Sequence, residues 1–391
     1  MTREKGKVKN RALNTGSKTS NIGSKKGLIV ENIPINKGFW ADIKKPFFVL
    51  APMANVTDFA FRTLFAKYGK PDVVWTEFVS ADGLVSKGRE ILLNDLKFSK
   101  KEKPIVAQLF TGHKNAMEQA CALVADLGFD GIDINMGCPD KAVLKQGGGA
   151  SLIQNPKLAL EILESARRGV MLSFDNTHKK IVDDKKPKNN GNNKIPIPVS
   201  VKTRIGYNTI DLNWIEFLLE QKLPVLTVHL RTKKEMSEVP AHWDIMPQII
   251  QIRDEVSPET LIIGNGDVET LEQATLYIQK YGCDGVMIGR GIFGKPWFFA
   301  QKEEYKKAFN DSHNITSVKI KEFSIQEKLS ILLEHARLFN KNFADLKSFA
   351  VMKKHFKAYV SGWDGAKELR VKLMEVENVR QLSKIIKDYL A

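Results

Sequence analysis

The sequence predicts an α/β protein: a (β/α)8 barrel followed by a small all-helical segment. Three observations carry that prediction. From Pro46 onward, short runs rich in apolar and β-branched residues recur at a spacing that fits repeated βα units. Amphipathic stretches with apolar residues at three- and four-residue intervals separate the runs, as helices packed on a sheet require. The chemically unusual polar residues fall at the C-terminal end of one run after another, where a barrel of this kind gathers its site.

The expected strands, in order, are FFVLAP (Phe47 to Pro52), VVWTEF (Val73 to Phe78), PIVAQL (Pro104 to Leu109), GIDINM (Gly131 to Met136), PVSVKTR (Pro198 to Arg204), VLTVHL (Val225 to Leu230), LIIGNG (Leu261 to Gly266) and GVMIGR (Gly285 to Arg290). NAMEQACALVADLG and PKLALEILESARRG exemplify the helical stretches between them. Eight such units over roughly 250 residues match the size and order of a closed barrel. The barrel is expected over residues 46–312, behind a basic, flexible lead-in at 1–45. Residues 174–196, FDNTHKKIVDDKKPKNNGNNKIP, are rich in Lys, Asn and Asp, so they read as a solvated surface insertion on the N-terminal face, away from the chemistry. From 322 to 391 the chain is helical in period and rich in Lys and Arg, and reads as a separate helical domain.

Composition bounds the function. With 391 residues and 43% apolar content the chain can bury a sizeable core. Lys and Arg outnumber Asp and Glu by 60 to 45, and the isoelectric point is near 9.4. That balance suits a polyanionic partner, nucleic acid first, or else a lysine-rich solvated surface. The 3 cysteines, Cys121, Cys138 and Cys283, show no CxxC spacing, so neither a disulfide framework nor a zinc site is indicated, and a reducing cytoplasm fits. No apolar run is long enough to span a bilayer, and the basic N-terminus lacks the apolar core of a secretory signal.

At the strand ends stand APMAN, Gln108, Asn135 with Cys138, Lys202 with Arg204, His229 with Arg231, Asn265 with Asp267, and Gly289 with Arg290. The last two runs, IIGNGD and MIGRG, place glycines where backbone N–H groups can approach a phosphate, with Arg290 able to pair with it. Lys202, Gln108 and His229 suit the polar edge of a planar ring, and a lysine there would stabilise the charge of a reduced flavin. One phosphate and one ring suggest flavin mononucleotide (FMN). Cys138, two residues past the fourth strand, faces the barrel mouth as an acid or a nucleophile. Gly147 to Gly149 let its loop fold tightly and bring Lys145 near the same opening. Cys121 and Cys283 read as small inert hydrophobes.

With these residues placed, the sequence resembles the tRNA-dihydrouridine synthases. APMANVTDFAFRTLFAKYG, NMGCP with the following KQGGGASL, VSVKTRIGYN, TVHLRT, IIGNGDV and GVMIGRGIFGKPWFF carry the resemblance in order, from about Pro46 to Leu390. It implies an FMN-dependent oxidoreductase recharged by NADPH or NADH, reducing the C5=C6 bond of a tRNA uridine, with Cys138 as the acid that protonates C5. It implies cofactor contacts at Pro52, Met53, Gln108, Lys202, His229, Asn265, Gly266, Asp267, Gly289 and Arg290. Asn135, Lys145, Lys202, Arg204 and Arg231 match the substrate side, and Lys353, Lys354, Lys357 and Arg370 the grip on tRNA phosphates. A monomer is expected on the same ground. The run KKEMSEVPAHWD departs from the Tyr and Gly that the family often places after HLRT. Other readings are a flavin barrel acting on a free pyrimidine, a non-catalytic tRNA-binding relative, and a flavin-free isomerase barrel. The Lys-rich helical segment at the C-terminus separates the first of these, and the joint presence of Cys138, Lys202 and His229 the second.

Overall fold

The computed structural model describes residues 35–183, 195–311, 314–319 and 321–391. The tail at 1–34 and the insertion residues 184–194 lie outside the described residues. Residues Ile35 to Ala391 form one compact unit.

Eight parallel strands close a barrel in chain order. They are β1 (Phe47–Leu50), β2 (Val73–Ser80), β3 (Ile105–Phe110), β4 (Gly131–Met136), β5 (Val199–Arg204), β6 (Val225–His229), β7 (Leu261–Asn265) and β8 (Gly285–Ile288), and β8 pairs with β1. Each expected strand is present, within two residues of its bounds. The connecting helices are α1 (Phe59–Tyr68), α2 (Ala81–Leu84), α3 (Arg89–Leu92), α4 (Lys114–Asp126), α5 (Lys141–Lys145), α6 (Pro156–Asp183), α7 (Leu212–Glu220), α8 (Met246–Val256), α9 (Leu271–Tyr281) and α10 (Lys302–Asn310). After them come α11 (Ile325–Phe343), α12 (Lys353–Tyr359), α13 (Ala366–Met374) and α14 (Val379–Leu390).

One expectation is corrected. The stretch beginning at Phe174 is not free of regular structure, because α6 runs through Asp183 before the chain leaves the described residues. Its composition is polar, yet no Pro or Gly occurs between Val170 and Lys186, and adding residues to an existing helix is far easier than starting one.

The strand period of two sorts side chains into two layers. Ile132 and Ile134 on β4, Val199 and Val201 on β5, and Leu226 and Val228 on β6 face the helices and join the main core. Their alternates face the barrel axis. At the N-terminal end of the barrel that interior is apolar, filled by Phe47, Val49, Val73, Trp75, Val106, Val225 and Leu261, with Trp40 closing the bottom. Full burial of each such large side chain contributes about 1.5–3 kcal/mol. Toward the C-terminal end the same inward positions carry Gln108, Asp133, Asn135, Lys202 and His229, so the axis turns from apolar floor to polar mouth.

Local signals set the ends of the helices. Asp58 caps α1 by accepting the Phe61 N–H at 2.9 Å, and Ser324 with Glu327 forms a capping box on α11. Of the C-terminal helices, α11 and α12 pack on α1. Phe61 stacks on His335 at 4.7 Å, Lys67 and Tyr68 reach Glu334, and Lys347 bridges Asp95 at 2.8 Å and Glu77 at 3.5 Å. Among the described residues no helix is long and apolar enough to cross a membrane.

Candidate active site

A cavity of about 370 Å³ opens at the C-terminal end of the barrel. Ala51, Pro52 and Met53 wall one side. Lys202 and His229 stand on another, and the loops after β7 and β8, Asn265 to Glu269 and Gly289 to Gly291, complete it. Strand register explains the convergence: Asn135 pairs with Lys202, Arg204 with His229, and His229 with Asn265, so these polar residues neighbour one another near the C-terminal ends of β4 to β7.

Several of these polar groups lack protein partners. The Nζ of Lys202 has no hydrogen-bond or ion-pair partner among the described residues, and burial followed by the neighbouring Arg204 charge lowers its pKa to about 8. The Nδ1 of His229 and the Nη1 of Arg231 are buried without a hydrogen-bond partner. Burial first, and then the charges of Lys202, Arg204, Arg231 and Arg290, hold the His229 imidazole well below its ordinary pKa, so it is neutral at pH 7. Unpaired buried donors are costly, so this set suits a ligand bearing acceptors and negative charge. Gly266, at φ +133°, and Gly289 line the same space, where the absence of side chains lets a ligand meet backbone. Asp267, at the rim, accepts hydrogen bonds from Arg231, from Arg290 at 2.6 Å and from the Ala241 N–H at 2.8 Å. These donors outweigh its partial burial and hold its carboxyl below the usual range.

The Cys138 loop is built from its sequence in a traceable way. Asn135 Oδ1 accepts the N–H groups of Gly137 at 3.1 Å and Cys138 at 2.8 Å, and Asp140 caps α5 through the Ala142 N–H. The Cys138 carbonyl then accepts the Ala150 N–H at 3.0 Å, closing the loop on itself. The glycines are steric requirements. Gly149 has φ +60°, and a Cβ there would lie 2.7 Å from the Cys138 oxygen, while one on Gly148 would press the Thr111 backbone at 3.2 Å. Burial raises the pKa of the half-buried Cys138 thiol, so it carries its proton at neutral pH. It lies within electrostatic reach of Lys202 and Arg204. Cys121 and Cys283 are buried free thiols pushed up further by desolvation, the latter to about 12.

Behind this loop, the Asp133 carboxylate accepts Gln108 Nε2 at 2.7 Å and Ser200 Oγ at 2.6 Å, and Gln108 Oε1 accepts Asn135 Nδ2 at 3.0 Å.

The structure therefore brings together Pro52, Met53, Lys202, His229, Asn265, Gly266, Asp267, Gly289 and Arg290 around one cavity. Gln108 and Asn135 stand beside it in the buried polar chain. Arg204 is committed to protein, and so is Arg231 apart from its unpartnered Nη1. Arg204 donates to the carbonyls of Gly137, Thr232 and Met236, and Arg231 to Val239 and Asp267, so both brace the KKEMSEVPAHWD loop. Lys145 is exposed on α5 and does not line the cavity. Lys353, Lys354 and Lys357 lie on α12 and Arg370 on α13, away from the cavity lining. Lys357 is exposed, burial lowers the Lys354 pKa, and Arg370 donates to the Val360 carbonyl at 2.9 Å. Sequence reasoning missed Asp133 and Ser200. The signal was present: both lie two residues before a recognised site residue, Asn135 and Lys202, on the same strand face. It also missed Trp243, whose Nε1 donates to the Gly266 carbonyl at 2.8 Å and fixes that turn.

Comparison with known proteins agrees over nearly the whole chain. The dihydrouridine synthase (Dus) family model matches residues 49–390. A probable tRNA-dihydrouridine synthase of Staphylococcus aureus (strain MRSA252) is 36% identical over 361 residues, 91% of this chain and 97% of that protein. A probable tRNA-dihydrouridine synthase 2 of Bacillus subtilis (strain 168) is 34% identical over 359 residues, again 91% of this chain and 97% of the relative. With that span and identity, the chain belongs to the dihydrouridine synthase family and is an oxidoreductase.

Proposed function

We propose that this protein reduces a uridine of tRNA to 5,6-dihydrouridine, with FMN as bound cofactor and NADPH or NADH as electron donor. The observation that carries the reading is a protonated cysteine, Cys138, within electrostatic reach of a cavity whose lysine and histidine have no protein partner. Bound and reduced FMN would supply the hydride that reaches C6 of the base. The residues present fit that cofactor. Lys202 meets the acceptor edge of a ring and the charge it gains on reduction, with Gln108 and His229 beside it. The glycine loops after β7 and β8, with Arg290, receive a phosphate.

Cys138 then delivers its proton to C5, and the thiolate left behind is stabilised by the charges of Lys202 and Arg204. Asn135 and Arg204 hold that loop in place, while Lys145, exposed on α5, is available to the rest of the nucleotide. A base must leave its stack to reach a cavity inside the barrel, so the substrate uridine is extruded from a loop. The basic helical segment from 322 onward, with Lys353, Lys354, Lys357 and Arg370, holds the tRNA phosphates.

The test is Cys138→Ala. Flavin stays bound and is reduced by NADPH at the wild-type rate, while dihydrouridine formation slows about 10²- to 10⁴-fold, the usual range for loss of a general acid. Wild-type product formation by the variant would remove Cys138 from the acid role.

A further inference from the structure

We propose that Asp133 is a positioning residue that sets the orientation of two amides and, through them, of the loop carrying Cys138. The inference rests on the reading that Cys138 protonates the substrate. An ionised carboxylate only accepts hydrogen bonds, so the Gln108 atom 2.7 Å from Asp133 must be its NH2 group. That choice turns Gln108 Oε1 toward Asn135, which must answer with its own NH2 group, at 3.0 Å. Asn135 is left with Oδ1 facing the loop, where it accepts the N–H groups of both Gly137 and Cys138. Reversing either amide would set NH2 against N–H and break the loop's anchor. One buried charge thus fixes a chain of acceptors and donors from the barrel interior to the backbone of the acid. It also leaves the second N–H of the Gln108 amide free of the carboxylate.

The arrangement opposes stability, which argues that it serves the reaction. Burial pushes the Asp133 carboxyl up to about 6, against the hydrogen bonds of Gln108 and Ser200 and the charge of Lys202. A raised value means that its contribution to stability is present below about 3.8 and is lost as pH rises through about 6. The charged group facing it is Lys202 on β5, whereas Gln108 on β3, Trp75 on β2 and Ser200 on β5 do not titrate. Once protonated, the carboxyl can donate, the amide chain is free to reverse, and activity falls with pH.

The test uses flavin-loaded protein, reduced first, and follows reoxidation by unmodified tRNA in a single turnover. Asp133→Asn is expected to slow that step about 10- to 100-fold, several times more than it slows reduction by NADPH, which feels only the Gln108 end of the chain, while the melting temperature is unchanged or higher. Asn135→Ala should add little in the Asp133→Asn background, because both act through one chain. Ser200→Ala removes one of the carboxylate's donors, so it should keep the plateau rate and move the acid limb of the pH profile to higher pH. If Asp133→Asn does not fold, that shift decides the matter. Wild-type reoxidation in Asp133→Asn, additive losses with Asn135→Ala, or an unmoved acid limb in Ser200→Ala would each overturn the positioning role alone. Wild-type protein whose reduced flavin ignores unmodified tRNA would overturn the proposed function, and this role with it.

Discussion

A lysine ammonium that lines a cavity and has no protein partner is poised to meet the acceptors of a ligand. Lys202 is in that position, and its pKa near 8 leaves it mostly charged at pH 7. If it faces the ring edge that gains charge on reduction, Lys202→Met will lower the reduction potential of the bound flavin by about 30 mV or more, equivalent to about 1.4 kcal/mol for a two-electron couple. Potentiometric titration reads this directly, and an unchanged potential would move Lys202 away from the ring. Cys138, Lys202 and the three glycines were legible in the sequence because their chemistry is wasteful anywhere else. Asp133 was not, because one carboxylate inside GIDINM is visible as functional only when its neighbours on β3 and β5 are known. For the same reason Arg204 and Arg231 read as substrate groups, whereas their guanidiniums are largely occupied by backbone carbonyls and Asp267.

The docking of α11 and α12 on α1 depends on neutral histidines. His335 and His355 are fully buried and lie 4.6 Å apart ring to ring; His335 Nε2 and both ring nitrogens of His355 lack partners, while His335 Nδ1 meets the Tyr359 hydroxyl at 3.4 Å. Burial lowers both pKa values, that of His355 to about 3. A depressed histidine contributes stability above its unfolded value of 6.5 and loses it as pH falls toward the folded value. Between pH 6.5 and 4, His355 should therefore lower stability by about 1.4 kcal/mol per pH unit, and His335 acts in the same direction. His355→Leu should flatten that dependence in denaturant melts recorded across pH, and an equal slope in variant and wild type would contradict it. At this scale the strands were legible almost to the residue, since each is a short apolar run between polar turns. The end of α6 was not. A polar stretch without Pro or Gly can extend an existing helix, and composition alone does not show where it stops.

The whole molecule carries a formal net charge of +15, which suits a polyanion and cannot by itself select one. Lys353 and Lys357 are one turn apart on α12 and have no ion-pair partner among the described residues. Reversing both to Glu should weaken tRNA binding and reduce the slope of log affinity against log salt by about 1 per lysine. Unchanged affinity at low salt would take α12 out of the interface. The barrel and its helical extension were legible at this scale because the motifs recur in chain order. The packing of the extension was not, since it depends on single contacts such as Phe61 on His335. The central claim, one site joining a flavin to a tRNA uridine, is tested most directly by the visible spectrum of the purified protein under anaerobic conditions. The account predicts flavin bands that bleach on adding NADPH and return on adding unmodified tRNA, with dihydrouridine formed in proportion. A protein that neither carries nor takes up FMN, or a bleached flavin that unmodified tRNA leaves unchanged, would contradict it.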